Sequence, residues 1–310
     1  MANDDLACTQ DCDTDEDVAV SLLRKILGSC NINFLFGAGV NGRAFPFFAQ
    51  FEKTISKMNE LGLPGDNIEG VLQGCDDEDK RNEVLNAFVE EFNSKDYELE
   101  NGSLVNLRNL LTETRKAVGM AENRHPESKR INIFTLNYDR IVEELLETCG
   151  FFNYVLKQET KSFLPFNVVG YNTETRAFIP TYAIYKLHGS VGPDRRLKAE
   201  GIVFPGQDKL GSIISNFYET LFAMKGELLR RNAALVVIGY SWSDEHINDV
   251  IDSAIENGLT VIFPRYRKSD IVNLRHADKI IAIPPGEPGR DGEPCDTTKT
   301  LAALFKKAMQ

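Results

Sequence analysis

Four apolar, β-prone runs, Ile32–Phe36, Ile131–Phe134, Tyr182–Leu187 and Leu235–Ile238, each give way to a short segment of glycine or polar residues. Those segments are Phe36-Gly37-Ala38-Gly39-Val40-Asn41-Gly42, Thr135-Leu136-Asn137-Tyr138-Asp139, Lys186-Leu187-His188-Gly189-Ser190 and Ile238-Gly239-Tyr240-Ser241. In an open parallel sheet the carboxyl ends of the strands line one crevice, and ligands bind there. A glycine turn, an Asn/Asp pair and a His would then face one cleft.

The rest of the chain supports that architecture. Leu22, Leu23, Ile26 and Leu27 form one helical stripe, and Thr14-Asp15-Glu16-Asp17 reads as a capping box before it. Phe47, Phe48, Phe51, Ile55 and Met58 recur at helical spacing, which predicts a helix soon after the glycine turn with Pro46 in its first turn. From about Leu61 to His125 no strand pattern appears. Val84-Leu85, Phe88-Val89 and Phe92 predict one amphipathic helix and Leu104, Leu107, Leu110 and Leu111 another, a helical insertion at about 61–125. Beyond Ile131 strands and helices alternate: a helix through Ile141–Leu146, a short strand Ile202-Val203-Phe204, a long helix from Ile213 to Leu229, a helix Ile247–Ile255, strands Leu259–Phe263 and Lys279–Ile283, and a last helix from about Thr297. That alternation predicts an α/β fold, a doubly wound, Rossmann-like parallel sheet. The division expected is an acidic N-terminal segment and helix over 1–30, then one nucleotide-binding domain over 31–310.

Composition narrows the function classes. The 310 residues carry 35 Lys and Arg against 46 Asp and Glu, a formal charge of −11. Phosphate contacts need clustered cations, so a broad nucleic-acid surface is not expected. Arg265-Tyr266-Arg267-Lys268 reads as a solvated loop. No apolar stretch approaches the roughly 20 residues of a membrane span, and the acidic Met1–Asp17 is neither a signal nor a transit peptide. A cytoplasmic location is expected. The six cysteines, at 8, 12, 30, 75, 149 and 295, include no CxxC pair, so neither a zinc ribbon nor a zinc finger is expected and the thiols should be reduced.

Each segment admits two readings. Gly37-x-Gly39-x-x-Gly42 after a strand fits a dinucleotide fingerprint, with backbone N–H groups near a pyrophosphate; small residues also suit a plain packing turn. A dehydrogenase would need a second strand about 20 residues on, ending in an acidic residue, and Ser56–Glu60 falls in a predicted helix instead. Asn137 and Asp139 could hold an amide or water and support a cationic sugar, or simply cap the next helix. His188 could be a general base near neutral pH, with Gly189 admitting a ligand, or a buried structural His. His246 is a second candidate; His125 and His276 read as solvated. Gly239-Tyr240-Ser241 suits a phosphate or ribose, or an ordinary strand–helix turn with Asp244 as cap. The second glycine of a hydrolase nucleophile elbow is missing after Ser241.

Taken in order, the four segments resemble the sirtuin superfamily, from about Ile32 to about Phe263. The resemblance implies that Gly37, Ala38, Gly39, Val40 and Asn41 cradle the pyrophosphate of NAD+. Asn137 and Asp139 would sit by the nicotinamide ribose, His188 would be the base acting there, and Gly239, Tyr240 and Ser241 would contact the adenosine half. Thr135 and Gly189 lie in the matching segments and belong to the same expected site. Departures are informative. Protein-deacylating sirtuins carry a four-cysteine zinc module between the His-Gly and Gly-x-Ser turns, and here no cysteine lies between Cys149 and Cys295. No zinc is therefore expected. Ile202-Val203-Phe204-Pro205-Gly206 is similar to the acyl-lysine strand but departs at Pro205 and Gln207. Asn41 stands where Ser is usual, and Phe263-Pro264 replaces a polar strand end. The turn Gly239–His246 resembles that of bacterial sirtuin-like NAD hydrolases of anti-phage defence. The activity implied by the resemblance is that of an NAD+ glycohydrolase, with a protein deacylase or a silent NAD/ADP-ribose sensor as alternatives. It further implies a homo-oligomer and a HerA-like ATPase partner. The helical insertion at about 61–125 interrupts the fold just after the glycine turn and is the segment placed to gate the cleft, with its acidic loops (Asp76–Asp79) and the acidic N-terminus as the places for a partner to act or, equally, as solvated surface.

Overall fold

The computed structural model describes residues 16–310, apart from 64, 66–67, 122–123, 125–128, 149–152, 158–165, 170–180, 200–201, 203–216, 271, 273 and 289–293. The expected capping box at Thr14 and residues Val203, Phe204, Ile213 and Ile214 lie outside the described residues.

Among the described residues eight strands form one sheet: β1 (Asn31–Phe36), β2 (Ile131–Thr135), β3 (Asn153–Lys157), β4 (Phe166–Val169), β5 (Thr181–Lys186), β6 (Ala233–Ile238), β7 (Thr260–Pro264) and β8 (Ile281–Ile283). Their spatial order is β4-β3-β5-β2-β1-β6-β7-β8. All neighbours are parallel except β3 and β4, which pair antiparallel at one edge. Parallel strands need crossovers, and these put helices on both faces.

Alternate residues of each central strand point to opposite cores. On one face Ile32, Phe34, Phe36, Ile131, Ile133, Tyr182, Ile184, Ala234, Val236 and Ile238 are buried against helices α1 (Glu16–Ser29), α4 (Glu78–Asn93), α5 (Gly102–Met120), α6 (Ile141–Thr148) and α9 (Thr297–Ala308). On the other, Leu35, Phe134, Ala183, Tyr185, Leu235, Val237 and Val261 meet α7 (Phe217–Leu228) and α8 (Glu245–Glu256). Burial on both sides explains why these strands read as unbroken apolar runs rather than as an alternation.

Between β1 and β2 the chain is helical, with α2 (Glu52–Glu60), α3 (Ile68–Gln73), α4 and α5. The apolar faces of these helices enter the same core as the sheet: Val84, Phe88, Leu104, Leu107 and Leu110 belong to one cluster with Phe34 and Ile133. Asp77, in the acidic loop, caps α4 by accepting from the N–H groups of Asp79 and Lys80.

One element departs from expectation. The glycine turn leads into a single 3-10 turn, Ala38–Asn41, and the first α-helix after it begins only at Glu52. Gly42 adopts φ +56°, outside the helical region, and Phe45 precedes Pro46, which disfavours helix at Phe45. Phe45 instead packs on Phe92 and Tyr97, with ring centroids 5.1 and 6.0 Å away. Pro46 therefore lies in the connecting segment, not in a first helical turn.

Candidate functional site

Register brings the four segments to one level. Phe36 pairs with Thr135 on one side and Ile238 on the other, and Thr135 pairs with Lys186. Four adjacent strands, β5, β2, β1 and β6, thus end in one row, and the segments carrying His188, Asn137, Gly37 and Gly239 leave the sheet side by side. Ladder bonds carry the pairing one step further, from Leu136 N–H to Phe36 O, Leu187 N–H to Thr135 O and Gly37 N–H to Ile238 O. Strand order reverses between β1 and β6, the position at which open α/β sheets form crevices.

At that reversal the two glycine segments touch backbone to backbone. Gly39 donates its N–H to Gly239 O at 3.0 Å. A Cβ on Gly37 would lie 2.4 Å from Gly239 O, and one on Gly39 2.8 Å from Gly239 Cα. The need for glycine at 37 and 39 is met here by close packing. Within the turn Ala38 is exposed, while Val40 and Asn41 are buried.

Asn41 donates through Nδ2 to Asp139 Oδ2 at 2.8 Å. Asp139 Oδ1 accepts from Ile141 N–H at 3.0 Å, so the carboxylate both caps α6 and holds the glycine turn. Asn137, half-buried, donates its backbone N–H to Thr135 Oγ1 at 3.1 Å and its Nδ2 to Gly37 O at 3.3 Å. Below this turn lies a buried pair that the sequence does not single out. Lys186 and Glu143 meet at 3.2 Å with side chains 2% and 0% exposed. The contact is an ion pair short of an aligned hydrogen bond. Burial pushes the Glu143 carboxyl above its ordinary value, and Lys186 pulls it back only in part. Lys186 Nζ also donates to Asp139 O, so the pair props the turn from beneath.

His188 is buried, and its Nε2 lies 3.0 Å from Asp244 Oδ2. Asp244 uses its other oxygen to cap α8, accepting from His246 N–H at 3.0 Å and Ile247 N–H at 3.2 Å. Burial pushes the Asp244 carboxyl up, but the hydrogen bond and charge of His188, the Ile247 N–H and the charge of His246 outweigh it, leaving the group below the usual carboxylate range. From sequence Asp244 reads only as a cap, because its partner His188 lies 56 residues away along the chain. Gly189, at φ +102°, lets the chain turn away after His188 and bridges to Ile202.

The segment after β6 is braced internally. Tyr240 Oη donates to Asn248 Oδ1 at 2.9 Å, and Asn248 Nδ2 donates to Trp242 O at 2.9 Å. Trp242 takes φ +59°, and its buried ring packs on Tyr240 and Phe263. Ser241 is exposed, its hydroxyl 2.8 Å from that of Ser243. His276, expected to be solvated, is partly exposed and also paired. Its Nδ1 lies 3.1 Å from the buried Asp252, which also accepts the N–H groups of Arg275 and His276. His125 lies outside the described residues. Among the described residues no cluster of three or more His, Cys, Asp or Glu could hold a metal ion, and no helix is long and apolar enough to cross a membrane.

Comparison with known proteins gives three findings. Curated proteins yield no match. Solved structures that resemble the chain include a Sir2 enzyme from work on the mechanism and regulation of that class (14% identity, 94% of this chain and 96% of that one covered, TM-score 0.47), Sir2Tm bound to a propionylated peptide (12%, 91% and 95%, 0.43) and a Sir2 homolog–NAD complex (13%, 96% and 96%, 0.45). A family model described as a SIR2-like domain matches residues 131–278, a span that includes Asn137, Asp139, His188, Gly239 and Asp244.

Proposed function

We propose that the chain is an NAD+ glycohydrolase, in which NAD+ and water give nicotinamide and ADP-ribose. The observation that carries the reading is the shared register at which β5, β2, β1 and β6 end, since it sets a buried His–carboxylate pair beside an Asn/Asp turn and a glycine turn. The SIR2-like match over residues 131–278 supports the same substrate.

Cleaving the nicotinamide–ribose bond develops positive charge on the sugar. Asp139, held by Asn41 and the α6 N-terminus, supplies a fixed negative charge near that ribose, and Asn137 orients nicotinamide or the attacking water. His188 takes up the proton, its charged form stabilised by Asp244. Preorganised electrostatics and general-base help supply the rate. Gly37–Asn41, Thr135, Gly189 and Gly239–Ser241 would line the nucleotide. The resemblance in sequence supports a physiological role in depleting NAD+ during anti-phage defence, as a homo-oligomer with a HerA-like ATPase partner.

Purified protein should release nicotinamide from NAD+ without any acylated peptide. Asn137→Ala and His188→Ala should each lower kcat by roughly 10²–10⁴-fold. Full turnover in both variants rejects the assignment. Release that depends on an acetyl-lysine peptide would make the chain a deacylase, and nucleotide-dependent thermal stabilisation without turnover would make it a sensor.

A further inference from the structure

We propose that Lys186 and Glu143 are positioning residues: their buried pair holds the turn that carries Asp139, and it serves the reaction rather than the stability of the fold. The inference rests on Asp139 supplying the negative charge near the ribose in the proposed reaction.

Pattern alone would make both positions apolar. Lys186 follows Tyr182 and Ile184 on the face of β5 that shares a core with α6, and Glu143 lies among Ile141, Val142, Leu145 and Leu146, all buried. Taking an ammonium and a carboxylate out of water costs free energy that their attraction barely recovers. An apolar pair of similar volume is commonly as stable or more so. The backbone of neither element depends on the pair, since Asp139 Oδ1 caps α6 and β5 is laddered between β2 and β3.

What the pair supplies is a donor at one place. Glu143 keeps the Lys186 ammonium at 3.2 Å, and Nζ donates to Asp139 O. Asp139 is thereby held at three atoms: Oδ1 by Ile141 N–H at 3.0 Å, Oδ2 by Asn41 Nδ2 at 2.8 Å and its carbonyl by Lys186. Ile141 belongs to the same turn and moves with it, whereas Asn41 and Lys186 reach it from the ends of other strands. Lys186 lies two residues before His188, so one ammonium ties the strand end that carries the base to the turn that carries the charge. A displacement of about 1 Å in such a group is enough to cost roughly 10²-fold in rate.

Stability and turnover should therefore separate, in opposite directions, in two variants of the full chain. Lys186→Met combined with Glu143→Leu removes the pair and the donor but fills the same space. Its urea midpoint should equal or exceed the parent's. The Ile141 amide, bonded to Asp139 Oδ1, should exchange its hydrogen faster, and kcat for NAD+ should fall roughly 10²-fold with KM little changed. Glu143→Gln leaves Nζ an acceptor, so Lys186 stays on Asp139 O. That variant should have a lower midpoint, because a buried ammonium loses its counter-charge, yet keep Ile141 protected and lose far less of kcat. Parental Ile141 protection or parental kcat in the double variant overturns the inference. So does a double variant that fails to fold, or a kcat that follows the midpoint in both variants. If the parent hydrolyses no NAD+, the glycohydrolase reading fails, while the midpoints and Ile141 exchange still decide whether the pair holds the turn.

Discussion

Gly239 sits at φ +66°, and a Cβ there would lie 2.2 Å from Val40 N and 2.3 Å from Gly39 C. Any L side chain would therefore meet both a left-handed backbone penalty and a backbone clash that no rotamer relieves. Gly28, in the last turn of α1, is the opposite case, since a Cβ there meets nothing within 4 Å. Gly239→Ala should cost about 2–5 kcal/mol, the sum of a left-handed residue and overpacking. Gly28→Ala should add about 0.5–1 kcal/mol by stiffening the unfolded chain and favouring helix. Urea unfolding of the two variants checks both signs; a tolerated Gly239→Ala would mean that the two glycine segments are not in contact. At this scale the sequence shows which positions need glycine but not what fills the space. Gly37 and Gly39 read equally well as a phosphate cradle or a packing turn, because the partner that requires them, Gly239, is far away along the chain. Separation in sequence likewise hides Lys186–Glu143 and the second contact of Asp244.

Helix α2 has Phe51 at its N-cap, a side chain with no hydrogen bond to give its first N–H groups. The missing acceptor comes from α4: buried Glu91 Oε2 accepts from Thr54 N–H and Thr54 Oγ1, each at 2.8 Å. Burial pushes this carboxyl up, but the hydrogen bonds from Thr54 and Lys53 and the charge of Lys95 hold it below its ordinary value. Its folded pKa is then lower than its unfolded one, so protonation favours unfolding. The stabilisation is present at neutral pH and lost as pH falls from the ordinary glutamate value through the lower folded one. Glu91→Gln should cost about 1.5–3 kcal/mol at pH 7, as expected for hydrogen bonds to a charged group. The difference from the parent should shrink as the medium is acidified below about pH 4; a gap that stays constant with pH would show that the charge of Glu91 is not what holds α2. Strands and helices were largely legible as elements because period and burial are local. The phenylalanine pattern misled at Phe47–Phe51 because Phe48 and Phe51 turn onto Phe88 of α4 from a 3-10 turn, while Phe47 is exposed. Capping across elements, as by Glu91, leaves no sequence signature next to the helix it serves.

At the scale of the whole molecule, the two cores share their strands. Phe34 and Phe36 of β1 enter one core while Leu35 enters the other, and Ile133 and Phe134 of β2 divide in the same way. Neither helical layer can leave without stripping a face from the sheet that supports the other, so both should be lost in one cooperative step. The single tryptophan, Trp242, is buried in the α8 core beside the turn that carries Asp244. The helices between β1 and β2, together with α1 and α9, lie in the other core and dominate the helical signal. Tryptophan emission and far-ultraviolet circular dichroism therefore report opposite faces of one sheet, and their urea transitions should coincide. On the function proposed above, NAD+ at about 100 times its Kd should shift both by the same increment, about 2.7 kcal/mol, because a ligand on the strand ends would bind only when both layers are intact. A tryptophan transition that runs ahead of the dichroism, or a nucleotide shift in one signal alone, would show that the α8 side opens independently. The His188–Asp244 contact would then belong to a separable layer rather than to the sheet.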